Sequence, residues 1–257
     1  MTNSNLSLRS VDVEFTIYGV RARSIKSHTL RVTTGGMISF PSDRRVTVTA
    51  LANVDLDVHH GERVGLVGHN GAGKTTLLRV MAGVYEPVRG RIERRGRVTP
   101  LFDLSSGFSP EATGLENIVI RGMYLGLERD ELMARRGAIA DFTELGAYLH
   151  MPVNTYSAGM LMRLAFAVST AVEPEILLMD EWLAVGDAGF VKKAQQRLLD
   201  LVGSSGILVI ASHSLGTLES VCNRLVWLDA GRVRADGPVK TVKAAFLEAT
   251  GEPSVPG

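Results

Sequence analysis

The chain has 257 residues, 45% of them hydrophobic, and a formal net charge of +1 at pH 7. This length and apolar content suit one large domain with a substantial core, and the near-neutral charge argues against a nucleic-acid partner. The single cysteine, Cys222, excludes an intramolecular disulfide, and we expect it to be a core residue rather than a reactive thiol. No apolar run approaches the roughly 20 residues of a membrane span, and the N-terminal residues lack the apolar stretch of a signal peptide. We therefore expect a cytoplasmic protein.

The first part of the chain predicts β-structure. Strands are indicated in VDVEFTIY, RRVTVTALANVDLDV and ERVGLVG, which are separated by turn-forming residues. A glycine-rich break follows, and then a helix is predicted from Lys74 to about Ala82. Two further helical regions are predicted around residues 115–126 and 129–142.

The second part of the chain alternates short apolar strands with helices. EILLMDE, GILVIASHS and RLVWLDAGRVRADG are the predicted strands. Helices are predicted near residues 192–201, 215–222 and 241–248. Buried strands that alternate with helices indicate an α/β fold with a parallel sheet.

The strongest local motif is VGLVGHNGAGKTTLL, in which Gly68, Gly73, Lys74 and Thr75 fit the P-loop pattern between a strand and a helix. Glycines let backbone N–H groups curl around an anion, the lysine reaches the β- and γ-phosphates, and the threonine hydroxyl can bind Mg²⁺. The alternative, a glycine-rich turn that happens to precede a lysine, explains less of the pattern. We predict a binding site for a nucleoside triphosphate, in which Asn70, Gly71 and Thr76 also surround the phosphates.

Two polar pairs follow predicted strands of the same sheet. Asp180 and Glu181 end EILLMDE, and Ser212 and His213 end GILVIASHS. On its own each pair would be typical of a solvated strand end or a structural histidine. Beside a P-loop, Asp180 becomes a candidate Mg²⁺ ligand, Glu181 a candidate base for the attacking water, and His213 a candidate contact to the γ-phosphate or that water.

The stretch NTYSAGMLMRLAF predicts a helix that begins at Ser157, because a serine hydroxyl caps an N-terminus well. Capping does not explain Gly159, since glycine in a helix costs about 1 kcal/mol relative to alanine. A glycine there would let another group approach the backbone closely, and a helix N-terminus is a suitable seat for a phosphate.

Together these motifs resemble the nucleotide-binding domain of an ABC transporter, over residues 11–246. The resemblance implies an ABC-type P-loop ATPase core with a parallel sheet, an N-terminal antiparallel β subdomain and a helical signature subdomain. It also implies that Ser157 and Gly159 contact the γ-phosphate of ATP held by the P-loop of a second copy of the chain. Most family members carry Leu-Ser-Gly-Gly-Gln here, so Tyr156 and Ala158 depart from the common form.

Other family features are placed by resemblance alone. Asp187, which ends LAVGD, corresponds to the loop that communicates between the two ATP sites. Phe15 or Tyr18 is the aromatic that stacks on adenine, and we prefer Phe15. The family's Q-loop glutamine is missing from TPLFDLSSGFSPEATGLENI, and either Asp103 or Ser105 stands in for it.

Three departures, Tyr-Ser-x-Gly-Met, Thr-Gly-x-Glu-Asn and DEWLAVGDAGFVKK, resemble ATPases that export lipid-linked polysaccharides such as O-antigen and teichoic acid. This implies an integral-membrane permease as partner, a lipid-linked glycan handled through that permease, and a peripheral position on the cytoplasmic side of the cytoplasmic membrane. An ATPase for another cargo and a soluble non-transport ABC ATPase are the alternatives.

The expected organisation is a single ABC ATPase domain over residues 1–257. Its predicted parts are a β-rich part with the P-loop (11–100), a helical signature subdomain (101–172), the rest of the core (173–235), and a short C-terminal helix and tail (236–257). Because the tail is too short for an independent core, we expect no glycan-recognition domain. The basic segment 19–46 is either a solvated β-ribbon or a contact to anionic headgroups.

Overall fold

The structure is a computed structural model that describes residues 4–18, 37–39, 45–102, 104, 106–182 and 188–251. The chain divides into two compact units. The first consists of Met1–Val98, Leu178–Trp182 and Gly206–Gly257, and the second of Thr99–Leu177 and Leu183–Ser205.

The strands and helices follow one another along the chain with short connections. The strands are β1 (Asn5–Tyr18), β2 (Met37–Ser39), β3 (Arg45–His59), β4 (Arg63–Val67), β5 (Arg89–Arg95), β6 (Val98–Leu101), β7 (Ile176–Asp180), β8 (Ile207–Ala211), β9 (Arg224–Asp229) and β10 (Arg232–Pro238). The helices are α1 (Lys74–Met81), α2 (Gly114–Tyr124), α3 (Arg129–Thr143), α4 (Ala158–Ser169), α5 (Ala188–Ser204), α6 (Leu215–Val221) and α7 (Val239–Thr250).

The first unit contains an antiparallel sheet with the strand order β2-β3-β1-β5. Apolar side chains of β1 and β3 are buried at alternating positions, as expected of strands with one face on a core. β5 was not predicted, because its sequence RGRIERR contains only one β-branched residue. It lies at the edge of the sheet and pairs with β1, where exposed arginines are tolerated.

The second sheet of this unit supports the P-loop. Within the first unit its strand order is β10-β9-β4-β8-β7, and β4 pairs in parallel with both β8 and β9. All residues of β8 are buried, which explains why its sequence is a continuous apolar run. The carboxyl ends of β4, β7 and β8 therefore carry the residues that follow each strand to one edge of the sheet.

RLVWLDAGRVRADG forms two strands rather than the single predicted strand. Ala230 and Gly231 both have positive φ, 46° and 76°, and they reverse the chain between β9 and β10, which pair antiparallel. The Ala-Gly pair is a weaker hairpin signal than Asn-Gly, and this explains the error.

The second unit is mainly helical. α2, α3 and α4 pack around a core of buried apolar residues: Ile118, Ile139, Leu145, Leu149, Val153, Leu164, Ala167, Val168 and Ala171. A capping box fixes the start of α2, since Thr113 and Glu116 exchange side-chain and backbone hydrogen bonds. The predicted fold class, α/β with a parallel sheet, an antiparallel β part and a helical part, is confirmed.

Cys222 follows α6 and is half-buried. Burial raises the pKa of its thiol to about 12, which disfavours the reactive thiolate near neutral pH. None of the helices in the described part of the chain is long and apolar enough to cross a membrane.

Candidate functional site

The P-loop connects β4 to α1 and has the backbone geometry of an anion cradle. Gly71 and Gly73 have positive φ values of 80° and 106°, which curl the backbone N–H groups inward. Gly73 also has no room for a side chain, because a Cβ there would lie 2.8 Å from the carbonyl oxygen of Ala50. The loop therefore requires glycine both for conformation and for packing.

Lys74, the first residue of α1, is buried in this loop. Its Nζ donates to the carbonyl oxygens of Gly68 at 2.5 Å and His69 at 3.1 Å. Burial lowers the pKa of Lys74 below its ordinary value, and the negative charges of Asp180 and Glu181 oppose this shift. A cation held inside a ring of N–H groups is suited to a polyphosphate.

Thr75 and Asp180 meet at the mouth of the cradle. The Thr75 hydroxyl donates to Oδ2 of Asp180 over 2.7 Å, and Asp180 is the last residue of β7. A hydroxyl and a carboxylate in contact are oxygen donors that suit Mg²⁺. Among the described residues, no group of three His, Cys, Asp or Glu side chains could hold a metal alone. The donor set therefore fits an Mg²⁺ ion that takes its other ligands from phosphates and water.

Glu181 follows immediately and has an unusual backbone, with φ of 75°. Its N–H donates to the carbonyl oxygen of Ala211. Its carboxylate accepts from the Ser212 hydroxyl and from the backbone N–H of His213, each at 2.8 Å. Nε2 of His213 lies 3.9 Å from Oε1 of Glu181. Residues that follow β8 thus donate a hydrogen bond to each of the two carboxylate oxygens of Glu181 and fix its position.

These groups surround one cavity of about 250 Å³ in the first unit. Its lining brings together most of the predicted site residues of this unit: Asn70, Gly71, Gly73, Lys74, Thr75, Thr76, Asp180, Glu181 and His213. Val48 and Ala50 of β3 complete the wall. Gly68 lies at the base of the loop, where a Cβ would lie 2.3 Å from the carbonyl oxygen of Leu228.

Phe15 lies beside this wall. It is directly opposite Val48 in the pairing of β1 with β3, and directly opposed residues of an antiparallel pair share a face of the sheet. Its side chain is 36% exposed. The side chain of Tyr18 lies outside the described part of the structure, so the choice between the two aromatics stays a prediction in favour of Phe15.

The stretch that begins α4 lies in the second unit. Ser157 is the N-cap, and its hydroxyl accepts from the N–H of Met160 at 3.2 Å, as predicted. Ser157, Ala158 and Gly159 are exposed. A Cβ on Gly159 would come no closer than 3.9 Å to another group, the Ser157 hydroxyl. Packing within the chain therefore does not require glycine at this position.

Several predicted residues lie outside the described part of the structure. These are Asp187, the two candidates for the missing glutamine, Asp103 and Ser105, and most of the basic segment 19–46. Their roles stay predictions.

Other contacts of the site were not anticipated. Ser212 was noticed only as the neighbour of His213, yet it is buried and bonds Glu181. Val48 and Ala50 carry no chemical signal in the sequence, because apolar residues in a strand are typical of any core. The pairing register that brings β3 to the P-loop could not be read from one sequence.

The chain matches known proteins over most of its length. The family model described as ABC transporter matches residues 51–184. The O-antigen export system ATP-binding protein RfbE of Yersinia enterocolitica is 43% identical over 230 residues, which cover 90% of this chain and 96% of that protein. The teichoic acids export ATP-binding protein TagH of Listeria innocua is 32% identical over 246 residues, which cover 96% of this chain and 70% of that protein.

Solved structures show the same fold. A dimeric ATP-binding cassette in a post-hydrolysis state, bound to ADP and Pi, has a TM-score of 0.64 and 19% identity, and the match covers 91% of this chain and 98% of that one. The P-loop geometry, the carboxylates at the ends of the parallel strands and these matches lead to one identification. The chain belongs to the ABC transporter family and is an ATP-hydrolysing cassette.

Proposed function

We propose that this chain is the ATPase subunit of a membrane exporter for a lipid-linked cell-envelope polysaccharide. The observation that carries the cargo class is the similarity, over 90% or more of the chain, to proteins named for O-antigen export and for teichoic acid export. The site geometry supports the ATPase part of the proposal, since one cavity is lined by the P-loop residues Lys74 and Thr75 and by the polar residues Asp180, Glu181 and His213.

In this proposal the P-loop N–H groups and Lys74 bind the β- and γ-phosphates of ATP, and the ring of Phe15 stacks on adenine. Thr75 and Asp180 hold Mg²⁺, which when bound neutralises charge on the phosphates. Lys74 must release its bonds to Gly68 and His69 to reach the nucleotide, and the phosphates replace those two acceptors.

Glu181 is the general base. Its carboxylate accepts a proton from water as the water oxygen bonds to the γ-phosphorus, while the bond to the β,γ-bridging oxygen breaks and ADP leaves. Ser212 and the N–H of His213 hold the carboxylate in place, and the His213 side chain contacts the γ-phosphate or the water. Glu181 then gives up the proton that it accepted from water, and the phosphate leaves.

Ser157 and Gly159 act on ATP bound by a second copy of the chain, in a symmetric head-to-tail dimer. Asp187 communicates between the two ATP sites. Closure of the dimer drives an integral-membrane permease between two states, and the permease carries the lipid-linked glycan. The chain is accordingly placed at the cytoplasmic face of the cytoplasmic membrane through that permease, without contact to nucleic acid.

The experiment replaces the chromosomal gene for this chain, in its source organism, with an allele that encodes Glu181→Gln. The substitution keeps the shape of the side chain but removes the base, so ATP turnover of the purified chain should fall at least about 100-fold while ATP binding remains. In cells, surface polysaccharide should be lost and lipid-linked glycan should accumulate inside.

The control is Glu219→Gln, at an exposed position of α6. It removes only the charge of a surface ion pair with Lys243, which is worth about 0–1 kcal/mol, and should behave as wild type in both assays. Loss of turnover with normal surface polysaccharide would point to another cargo. Normal ATP turnover in the Glu181→Gln variant would show that Glu181 is not the general base.

A further inference from the structure

The aromatic ring of Phe15 is held by a second aromatic residue. Phe15 and Tyr85 meet edge to face, with ring centroids 5.2 Å apart and an angle of 73° between the planes. This is a preferred geometry of aromatic pairs. Tyr85 lies in the turn between α1 and β5, which none of the motifs described above includes.

Arg79 of α1 fixes Tyr85 in turn. Its Nη1 donates to the Tyr85 hydroxyl at 3.2 Å, and its guanidinium carbon lies 5.8 Å from the centre of the Tyr85 ring. The backbone of the turn is tied to the same residue, because the N–H of Val84 donates to the Arg79 carbonyl oxygen at 2.8 Å. At the other end of the turn, the N–H of Val88 donates to the carbonyl oxygen of Asp12 on β1.

This arrangement connects the two halves of a nucleotide site. α1 begins with Lys74 and Thr75 of the phosphate cradle and carries Arg79 little more than one turn later. Phe15 shares a sheet face with Val48, which lines the cavity. Although it packs on Tyr85, Phe15 remains 36% exposed, so part of the residue stays accessible to a ligand.

We propose that Tyr85, held by Arg79, is a positioning residue that sets the ring of Phe15 for stacking on the adenine base. The inference rests on the proposed function, because it requires ATP to be the ligand. Tyr85 acts through Phe15 and does not touch the nucleotide. Its effect should therefore depend on the base of the ligand and should vanish when Phe15 is absent.

The test is a double-mutant cycle on the purified chain, with dissociation constants measured by calorimetry for ATP and for tripolyphosphate, which has no base. Phe15→Ala should weaken ATP binding about 10-fold, since stacking on an aromatic is typically worth 1–3 kcal/mol per base. Tyr85→Leu should weaken it about 3- to 5-fold by releasing the Phe15 ring. Neither should change tripolyphosphate binding, and the double variant should match Phe15→Ala alone.

Two variants complete the set. Tyr85→Phe keeps the ring but removes the hydroxyl that accepts from Arg79, so it should weaken ATP binding by about 2-fold, less than Tyr85→Leu. Val84→Ala changes an exposed neighbour in the same turn and should leave ATP binding unchanged. If Tyr85→Leu does not fold by circular dichroism, Tyr85→Met takes its place, because its flexible unbranched side chain fills irregular space without a ring.

The outcomes separate this inference from the proposed function. An unchanged ATP affinity in Tyr85→Leu, an equal loss for tripolyphosphate, or full additivity with Phe15→Ala would overturn the role of Tyr85 alone. ATP binding that Lys74→Ala leaves intact, or no ATP binding by the wild-type chain, would overturn both.

Discussion

Glu181 shows how neighbouring strand ends can impose an unfavourable backbone on a functional residue. A non-glycine residue at φ of 75° costs on the order of 1–3 kcal/mol. The surrounding bonds offset this cost, because Ala211 accepts its N–H while Ser212 and His213 donate to its carboxylate. The strained backbone and the two donors together aim one carboxylate at the cavity.

The first residue-scale prediction concerns Ser212. Ser212→Ala removes the hydroxyl that donates to Oε2 of Glu181 but leaves the bond from the His213 N–H. A hydrogen bond to a charged group contributes roughly 1.5–3 kcal/mol, and we expect about half of it to appear as lost orientation in the transition state. Steady-state ATPase kinetics should show kcat reduced by about 4- to 12-fold with KM for ATP nearly unchanged.

Ser220→Ala is the matched control, since Ser220 is exposed on α6 and its hydroxyl bonds only a backbone carbonyl in the described structure. It should retain wild-type kcat. A Ser212→Ala variant with wild-type kcat, or with a rise in KM alone, would show that Ser212 does not orient the base.

At this scale the sequence predicted residue types well and contacts poorly. Lys74, Thr75, Asp180 and Glu181 were predicted to share one site and do line one cavity, because their chemistry is specific and their spacing is local; their roles stay predictions. Ser212 and Tyr85 were missed, because their roles depend on a strand register and a ring contact between distant positions. Serines after strands and tyrosines in turns are common, so neither residue type points to a site.

At the scale of elements, two unusual motif residues touch each other. Tyr156, where most family members carry leucine, donates from its hydroxyl to the Tyr148 carbonyl oxygen at 2.7 Å. The same hydroxyl fills the space beside Gly114 at the start of α2, where a Cβ would lie 2.3 Å from it. Burial raises the pKa of Tyr156, and a hydrogen bond with the Gly114 backbone opposes that shift. The large side chain of Tyr156, before α4, therefore requires a glycine at position 114 of α2.

This contact gives the second prediction. Gly114→Val should push the Tyr156 ring out of its place and destabilise the chain by about 1–3 kcal/mol, the usual cost of overpacking. The double variant Gly114→Val with Tyr156→Leu should recover part of that loss, because the second change removes the contact with the Tyr156 hydroxyl but leaves Leu149, whose Cα would lie 3.2 Å from the new Cβ. Urea denaturation followed by circular dichroism measures both free energies of unfolding.

Gly137→Ala in α3 controls for the effect of replacing a helical glycine. No atom lies within 4 Å of a Cβ built there, so this variant should be more stable by about 0.5–1 kcal/mol. Additive losses in the double variant would mean that Tyr156 and Gly114 do not depend on each other.

The positions of α1 and α3 and the start of α4 were predicted within a few residues. The failures have separate physical causes. β5 is rich in arginine and becomes a strand by pairing with β1, whereas the turn between β9 and β10 places a non-glycine residue, Ala230, at positive φ. Both depend on tertiary pairing, which local propensity does not include.

At the scale of the whole molecule, the phosphate cradle belongs to the first unit and the exposed turn at Ser157 belongs to the second. Gly159 has room for a side chain within its own chain, yet glycine costs about 1 kcal/mol there relative to alanine. In our proposal the requirement comes from outside the chain, because the second copy brings its bound ATP against the start of α4.

The last prediction tests that second copy with the Glu181→Gln chain, which should bind Mg-ATP without consuming it. Light scattering after size exclusion should give a dimer with Mg-ATP and a monomer without nucleotide.

Adding Ser157→Arg should abolish the dimer, because the longer charged side chain occupies the space of the partner's phosphate cradle. Adding Ser157→Ala instead removes the hydroxyl without adding bulk and should leave a weaker dimer, while the lost cap lowers the free energy of unfolding by about 0.5–2 kcal/mol. ATP affinity of the monomeric Ser157→Arg variant should fall by less than about 10-fold, since a monomer keeps every contact of its own cradle and loses only the partner's hydrogen bonds. A chain that stays monomeric with Mg-ATP when Ser157 is intact, or that dimerises equally with Ser157→Arg, would contradict the shared site.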